Sequence, residues 1–212
     1  MNQRVISVQG RGTATAEPDL VQLSFNISVM DQEYDGAIAG LNDRVNRLRQ
    51  DVATVDVDPK GLKTISFDIS PKHRWNEERD ERVFLGFEAK HDLRLELPLD
   101  QDLLNRTLAQ LAQSASQATF SIYFAVKDGN ALRQRVLADA VARARENAET
   151  LAQAAGVQLG DILRIDYGWT EIRVSERIME YDASMAPSMP MADIEPDEIE
   201  AGDNVTVVWA IG

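Results

Sequence analysis

The sequence predicts an α+β protein, an antiparallel β-sheet backed by helices, with one long Ala-rich helix from about Asp128 to Ala155 and a closing strand at the C-terminus. Three observations predict it. Leu132, Val136, Ala140, Ala144, Ala148, Leu151 and Ala155 recur every three or four residues, which places them on one stripe of a helix. Four of the seven are alanine, so the helix backbone can lie close to a flat partner such as a sheet. Residues 20–30 alternate Val21, Leu23, Phe25, Ile27 and Val29 with polar neighbours, the pattern of an antiparallel strand buried on one face. Val205, Val207, Val208 and Trp209 then end the chain on strand-favouring residues.

In chain order, Arg4 to Ala16 reads as a strand and Glu17-Pro18-Asp19 as a turn, so this strand and the next are expected to form a hairpin. Asp31 is positioned to cap a helix reaching about Ala53, with Ala37, Leu41, Val45, Leu48 and Val52 inward. Leu62 to Pro71 and Arg82 to Leu97 read as strands three and four, and the charged stretch His73 to Glu81 as a mobile tip between them. A short helix is expected over Asp102 to Ser114, with Leu103, Leu104, Leu108 and Leu111 inward. Ala118 to Val126 and Asp161 to Thr170 are strands on either side of the long helix. That helix has Asp128 or Asn130 as its cap and Gly156 as its left-handed stop. Its outer face carries Arg133, Arg135, Asp139, Arg143, Glu146 and Glu149, with Arg135/Asp139 and Asp139/Arg143 spaced for support. Met179 to Asp203 brings three prolines and eight acids without Lys or Arg, a long acidic Met/Pro-rich loop. The final strand runs from Asn204 to Ile211, and truncation there is expected to destabilise the fold.

A chain of 212 residues, 44% hydrophobic, suffices for a single domain over 4–212, or the same domain in two lobes. A net charge of −13 repels phosphate backbones and anionic lipid, which argues against nucleic acid as a partner. Apolar runs are too short for membrane insertion. The chain has no cysteine, which excludes disulfides, thiolate metal sites and thiol nucleophiles. The first thirty residues lack the charged start, apolar centre and cleavage site of a leader. The expected location is therefore cytoplasmic, with the periplasm as the alternative had a leader been removed.

Gly10, Gly12 and Thr15 resemble a dinucleotide loop only superficially, because Pro18 and a strand follow where a helix should begin. Close packing or a bulge is the better reading of these glycines. His73 and His91 are the only imidazoles. Opposed strands could unite them, with Asp92 adjoining, but no third ligand and no nucleophile turn accompany them. Met179, Met185, Met189 and Met191 are thioethers that could ligate Cu(I). They also suit gap-filling against a neighbouring subunit, and Met185, Met189, Met191 and the hairpin-tip Trp75 are the candidate interface residues. No catalytic residue and no cofactor are predicted.

The run Val8-Gln9-Gly10-Arg11-Gly12 through Pro18-Asp19 into an alternating strand resembles the opening of the SIMPL-domain family, named for a signalling molecule that associates with a mouse pelle-like kinase. So does the order Asp128, Ala140, Ala144-Arg145, Ala148, Leu151-Ala152, Ala155-Gly156, Leu159-Gly160. Pro71, Gly86-Phe87 and Glu198-Ile199-Glu200 before Val205-Thr206-Val207 also fit. The resemblance covers nearly the whole chain and implies an α+β fold. Its members include periplasmic bacterial proteins linked to oxidative stress, immunogenic envelope proteins that form rings, and a signalling adaptor. It brings no enzyme activity. The expected function is that of a non-enzymatic, self-associating scaffold or stress-related accessory protein, a homo-oligomer. The alternative is a small-ligand or Cu(I)-binding module using the Met-rich loop.

Overall fold

The computed structural model describes residues 4–77, 80–168, 175–182 and 195–212, with the backbone alone for 175–182. In chain order the elements are β1 (Val5–Ala16), β2 (Leu20–Asp31), α1 (Tyr34–Thr54), β3 (Lys63–Asn76), β4 (Glu81–Pro98), α2 (Gln101–Ala112), β5 (Thr119–Ala125), α3 (Gly129–Ala154), β6 (Leu159–Asp166), β7 (Ser175–Asp182) and β8 (Ile199–Ile211). The fold is α+β with two sheets, ordered β1-β8-β6 and β3-β4-β2-β5-β7. The chain divides into two compact units. Among the described residues, 4–18, 125–168, 175–176 and 197–212 form one, and 19–77, 80–124, 177–182 and 195–196 the other.

In the first unit β8 is the central strand. It pairs antiparallel with β1 from Val5↔Ala210 to Ala16↔Ile199 and with β6 from Leu159↔Ile211 to Asp166↔Thr206. Because strand side chains alternate between faces, Val205, Val207 and Trp209 fall on one side, where they bury against Val8, Ala140, Ala144 and Ala148. The long helix α3 covers that side. Its cap is Asp128, whose carboxylate accepts from the Ala131 N–H at 3.0 Å, and the chain leaves it through Gly156 at φ +69°.

The α3 stripe differs from expectation at its end. Its buried residues are Leu132, Val136, Ala140, Ala144, Ala148 and Ala152, whereas Leu151 is 52% exposed and Ala155 is also exposed. The contact follows an i±4 row throughout. Small residues are needed along that row because β1 approaches the helix backbone itself. A Cβ built on Gly10 would lie 2.0 Å from the Ala140 carbonyl oxygen, and one on Gly12 2.0 Å from that of Val136. The outer face is fastened too. Asp139 accepts from the Thr13 N–H at 2.9 Å and pairs with Arg143 at 3.0 Å, while Arg135 donates to the Thr15 carbonyl at 2.8 Å rather than pairing with Asp139.

In the second unit β2 pairs with β4 from Leu20↔Pro98 to Asp31↔Phe87, and β3 lies on the far side of β4. Val21, Leu23, Phe25 and Ile27 of β2, with Leu93, Leu95 and Leu97 of β4, bury against Ala37, Leu41, Val45, Leu48 and Val52 of α1 and Leu104, Leu108 and Leu111 of α2. The α1 N-terminus is set differently from expectation: Glu33 is the capping position without a side-chain bond, and Asp31 instead accepts from the Glu33 N–H. Asp100 caps α2 through the Leu103 N–H at 2.8 Å.

Three sequence expectations are corrected. β1 and β2 do not form a hairpin, since each pairs along its length with a strand distant in sequence and they lie in different sheets. Pro18 fixes its own φ near −65° and so cannot take the positive φ that a type I′ turn requires at both central positions. The β3–β4 ribbon extends further than expected, so His73 lies in β3 opposite Phe84 and not in a loop. The stretch expected to loop from 179 to 203 has strand at both ends, β7 reaching Asp182 and β8 beginning at Ile199.

Candidate functional site

The structure separates the two histidines. His73 opposes Phe84 and His91 opposes Phe67, seven residues along β4 and so roughly 23 Å apart at about 3.3 Å per residue. His91 Nε2 lies 2.8 Å from Thr64 Oγ1, and its Nδ1 is buried without a hydrogen-bond partner. Burial, reinforced by Arg49 and opposed by Asp92, holds the imidazole below its ordinary value. Asp92 follows His91 on a strand and so points to the opposite face. There it accepts from Asn26 and Ser66, each at 2.6 Å. Among the described residues no group of three or more His, Asp or Glu side chains could hold a metal ion. Met185, Met189 and Met191 lie outside the described residues, and Met179 falls on β7, outside those whose side chains are described. Gly10 and Gly12 serve close packing against α3.

Apolar side chains do gather at the sheet edges. In the five-stranded sheet β3 is terminal, and its Ile65, Phe67 and Trp75 are 54%, 51% and 54% exposed. Beside them Tyr34, Phe87, Phe84 and His73 form a chain of edge-on ring contacts with centroids 5.3–5.6 Å apart. In the three-stranded sheet β6 is terminal, exposed from Gly160 to Asp166. Its Ile162, Leu163 and Ile165 face solvent.

A polar cleft of about 530 Å³ lies where the pairing of β6 with β8 ends, between Gln9, Asp166, Tyr167, Asp203, Asn204 and Thr206. Asp203 occupies the helix-facing register of β8 between the buried Ala201 and Val205 and is itself only 8% exposed. One carboxylate oxygen accepts from the Asn204 N–H at 2.7 Å. The Tyr167 hydroxyl interacts with the Asp203 carboxylate, and neither it nor Oδ2 has another partner. Removal from water first, then a hydrogen bond to Asp203 and the charge of its carboxylate, raise the Tyr167 phenol above its ordinary value, with Arg133 opposing. Arg133, expected on the solvated face of α3, is thus half-buried beside this group. The signal for Asp203 is an acid within the alternation Ile199, Ala201, Asp203, Val205, Val207, Trp209. It emerges only when the strand is started at Ile199 rather than Asn204.

Two sheets, each with helices against one face and with long terminal strands, define an α+β protein whose described residues hold no assembled metal-ligand cluster. The chain belongs to the SIMPL family, described as a protein of unknown function (DUF541), whose model matches residues 6–209. It is 21% identical over 206 residues to "Uncharacterized protein YggE" of Edwardsiella ictaluri (strain 93-146), covering 96% of this chain and 85% of that protein. It is 24% identical over 177 residues to the "26 kDa periplasmic immunogenic protein" of Brucella abortus (strain S19), covering 76% of this chain and 65% of the relative. No helix among the described residues is long and apolar enough to cross a membrane.

Proposed function

We propose that this protein is a non-enzymatic, self-associating accessory or scaffold protein of the periplasm, acting in stress. The observation that carries the assembly is that two of the four terminal strands, β3 and β6, expose Ile65, Phe67, Trp75, Ile162, Leu163 and Ile165. A terminal strand presents a row of backbone donors and acceptors to which another strand can add. Charge and Pro blunt such edges in part: β3 carries Asp68, Pro71, Lys72 and Arg74, and β6 Asp161, Arg164 and Asp166, beside the exposed apolar side chains. A second copy of the chain supplies matching strands, and edge-to-edge addition of different strands propagates into rings or closed oligomers. The periplasmic placement is supported by the printed name of the Brucella relative.

The test uses two variants of the full chain, Ile162→Lys with Ile165→Lys, and Phe67→Lys with Ile65→Lys. All four side chains are at least half exposed or nearly so, so the fold is expected to persist by circular dichroism. At least one pair is expected to reduce the molar mass in light scattering. Unchanged mass in both, with the fold retained, contradicts the assignment of the edges.

A further inference from the structure

We infer that β6 pairs with β6 of a second copy of this chain, antiparallel and about a two-fold axis at Ile165, so that the three-stranded sheets of two molecules run on as one. The inference rests on the self-association proposed above and names the partner of one of its edges. Its first support is the direction of the backbone groups. Gln158 and Gly212 exchange both of their backbone hydrogen bonds, at 2.9 and 3.1 Å, whereas the Ile211 N–H donates to the Arg4 carbonyl, on the β1 side, at 3.1 Å. Since β8 pairs with β1 without a register shift, alternate residues of β8 continue to aim at β6, Val208 and Thr206 among them. Arg164 and Asp166 stand opposite those two and so direct their backbone groups to β8. Ile165, between them, turns its N–H and C=O to the open side of the terminal strand. There Ile165 of a second copy can give and accept both bonds.

The second support is charge. Val208 and Thr206 alternate with Val207 and Trp209, which pack toward α3, so Arg164 and Asp166 lie on the face of the sheet away from that helix. With Ile165 opposite its own copy, antiparallel pairing sets Arg164 opposite the partner's Asp166, and Asp166 opposite the partner's Arg164. Opposite charges directly across a pair of strands attract. Within one chain Arg164 Nε already holds Asp166 Oδ2 at 2.8 Å, with both side chains more than half exposed, and the guanidinium fork has further donors for a second carboxylate. Other terminal strands do not supply this match. β1 contains no acid, and the only acid of β3 is Asp68, with Ser66 and Ser70 where a base would have to stand.

Apolar contact is the third support. Ile165 opposes Val207 and Ile162 opposes Trp209, on the side that carries α3. They are nevertheless 51% and 47% exposed, because α3 lies over β1 and β8. A second β6 brings its own Ile165 and Ile162 to this ledge, and each strand shields the other's isoleucines from water. The surface is complementary to itself, the property of an isologous interface that closes as a two-fold dimer.

The chain has no cysteine, so a single introduced thiol reports a single contact. Ile165→Cys in the full chain puts two thiols on residues whose Cα atoms stand about 5.5 Å apart in such a pair, within reach of a disulfide. Under oxidised glutathione at micromolar protein it is expected to give a disulfide-linked dimer, while Leu151→Cys, on an exposed site of α3, stays largely unlinked. Arg164→Asp sets like charges opposite one another and is expected to raise severalfold the concentration at which light scattering shows dissociation. Adding Asp166→Arg restores the match and is expected to recover association, with circular dichroism confirming the fold of each variant. Three results overturn the inference while leaving self-association standing in a wild-type chain that is multimeric. They are cross-linking of Ile165→Cys no faster than of Leu151→Cys, cross-linking only on mixing with Phe67→Cys of β3, and a double exchange that recovers nothing lost in Arg164→Asp. A wild-type chain that is monomeric throughout overturns both.

Discussion

Gly10 shows how a single hydrogen atom can set a fold. The helix α3 lies so close to β1 that a methyl group at Gly10 would meet the Ala140 carbonyl oxygen and the Ala144 nitrogen at 2.0 and 2.5 Å. These are backbone atoms, which no rotamer change can move away. Gly10→Ala is therefore expected to destabilise the first unit by about 3 kcal/mol, in the upper range for overpacking, as read by chemical denaturation. His91 sets a pH dependence in the other unit. Its folded pKa lies below the ordinary 6.5 through burial first and Arg49 second, with Asp92 opposing. Between the folded pKa and 6.5 the unfolded chain binds more protons, so stability falls as pH drops through that window. His91→Gln is expected to flatten the stability profile there. Glu88 and Asp139 act lower. Lys72 first, then Ser28 and Lys90, hold Glu88 down against its own burial; the Thr13 N–H first, then Arg143, holds Asp139 down. The stability from these two is present above their unfolded values and is lost as pH falls through their folded values, leaving the His91 window separable. The sequence left Gly10 and Gly12 as close packing or a bulge, and the structure shows close packing. The isolation of His91 was not legible in sequence, because spacing along the chain does not reveal which strand residues will stand opposite.

At the scale of elements, periodicity carried most of the information. All five apolar residues expected on the inner face of α1 are buried, as are Leu104, Leu108 and Leu111 of α2. The exception lies at the end of α3, where a leucine seemed a better core residue than the alanine after it. β1 approaches the helix backbone at Val136, Ala140 and Ala144, and the same i±4 row continues to the buried Ala152. Leu151→Gln is accordingly expected to change stability by no more than about 0.5 kcal/mol. Ala152→Gln, at a site 2% exposed, is expected to cost several times as much, and equal effects in thermal denaturation would contradict the register. The missed partner of β1 has a different cause. Local turn signals compete with pairing between distant strands, and here the partner of β1 is the last strand of the chain. That same pairing accounts for the expected sensitivity to C-terminal truncation, because β8 is central and Trp209 is 2% exposed.

The whole molecule shows a tension between two satisfied cores and two unsatisfied edges. Each unit buries its own apolar cluster, yet β3 and β6 leave apolar side chains in water. The sequence pointed to Trp75 as an interface residue, and the structure exposes it on β3 with Ile65 and Phe67. It gave no warning of β6, where Ile162, Leu163 and Ile165 look like core residues until the strand is known to be terminal. Charge works with this arrangement. A net charge of −13 opposes indiscriminate aggregation, so association at the edges should yield defined oligomers that weaken at low ionic strength, where repulsion is least screened. The most direct measurement is the molar mass of the full chain by size-exclusion chromatography with multi-angle light scattering, over a wide range of protein concentration. A defined multimer, shifting toward smaller species on dilution, is the predicted result. A monomer at every concentration would contradict self-association.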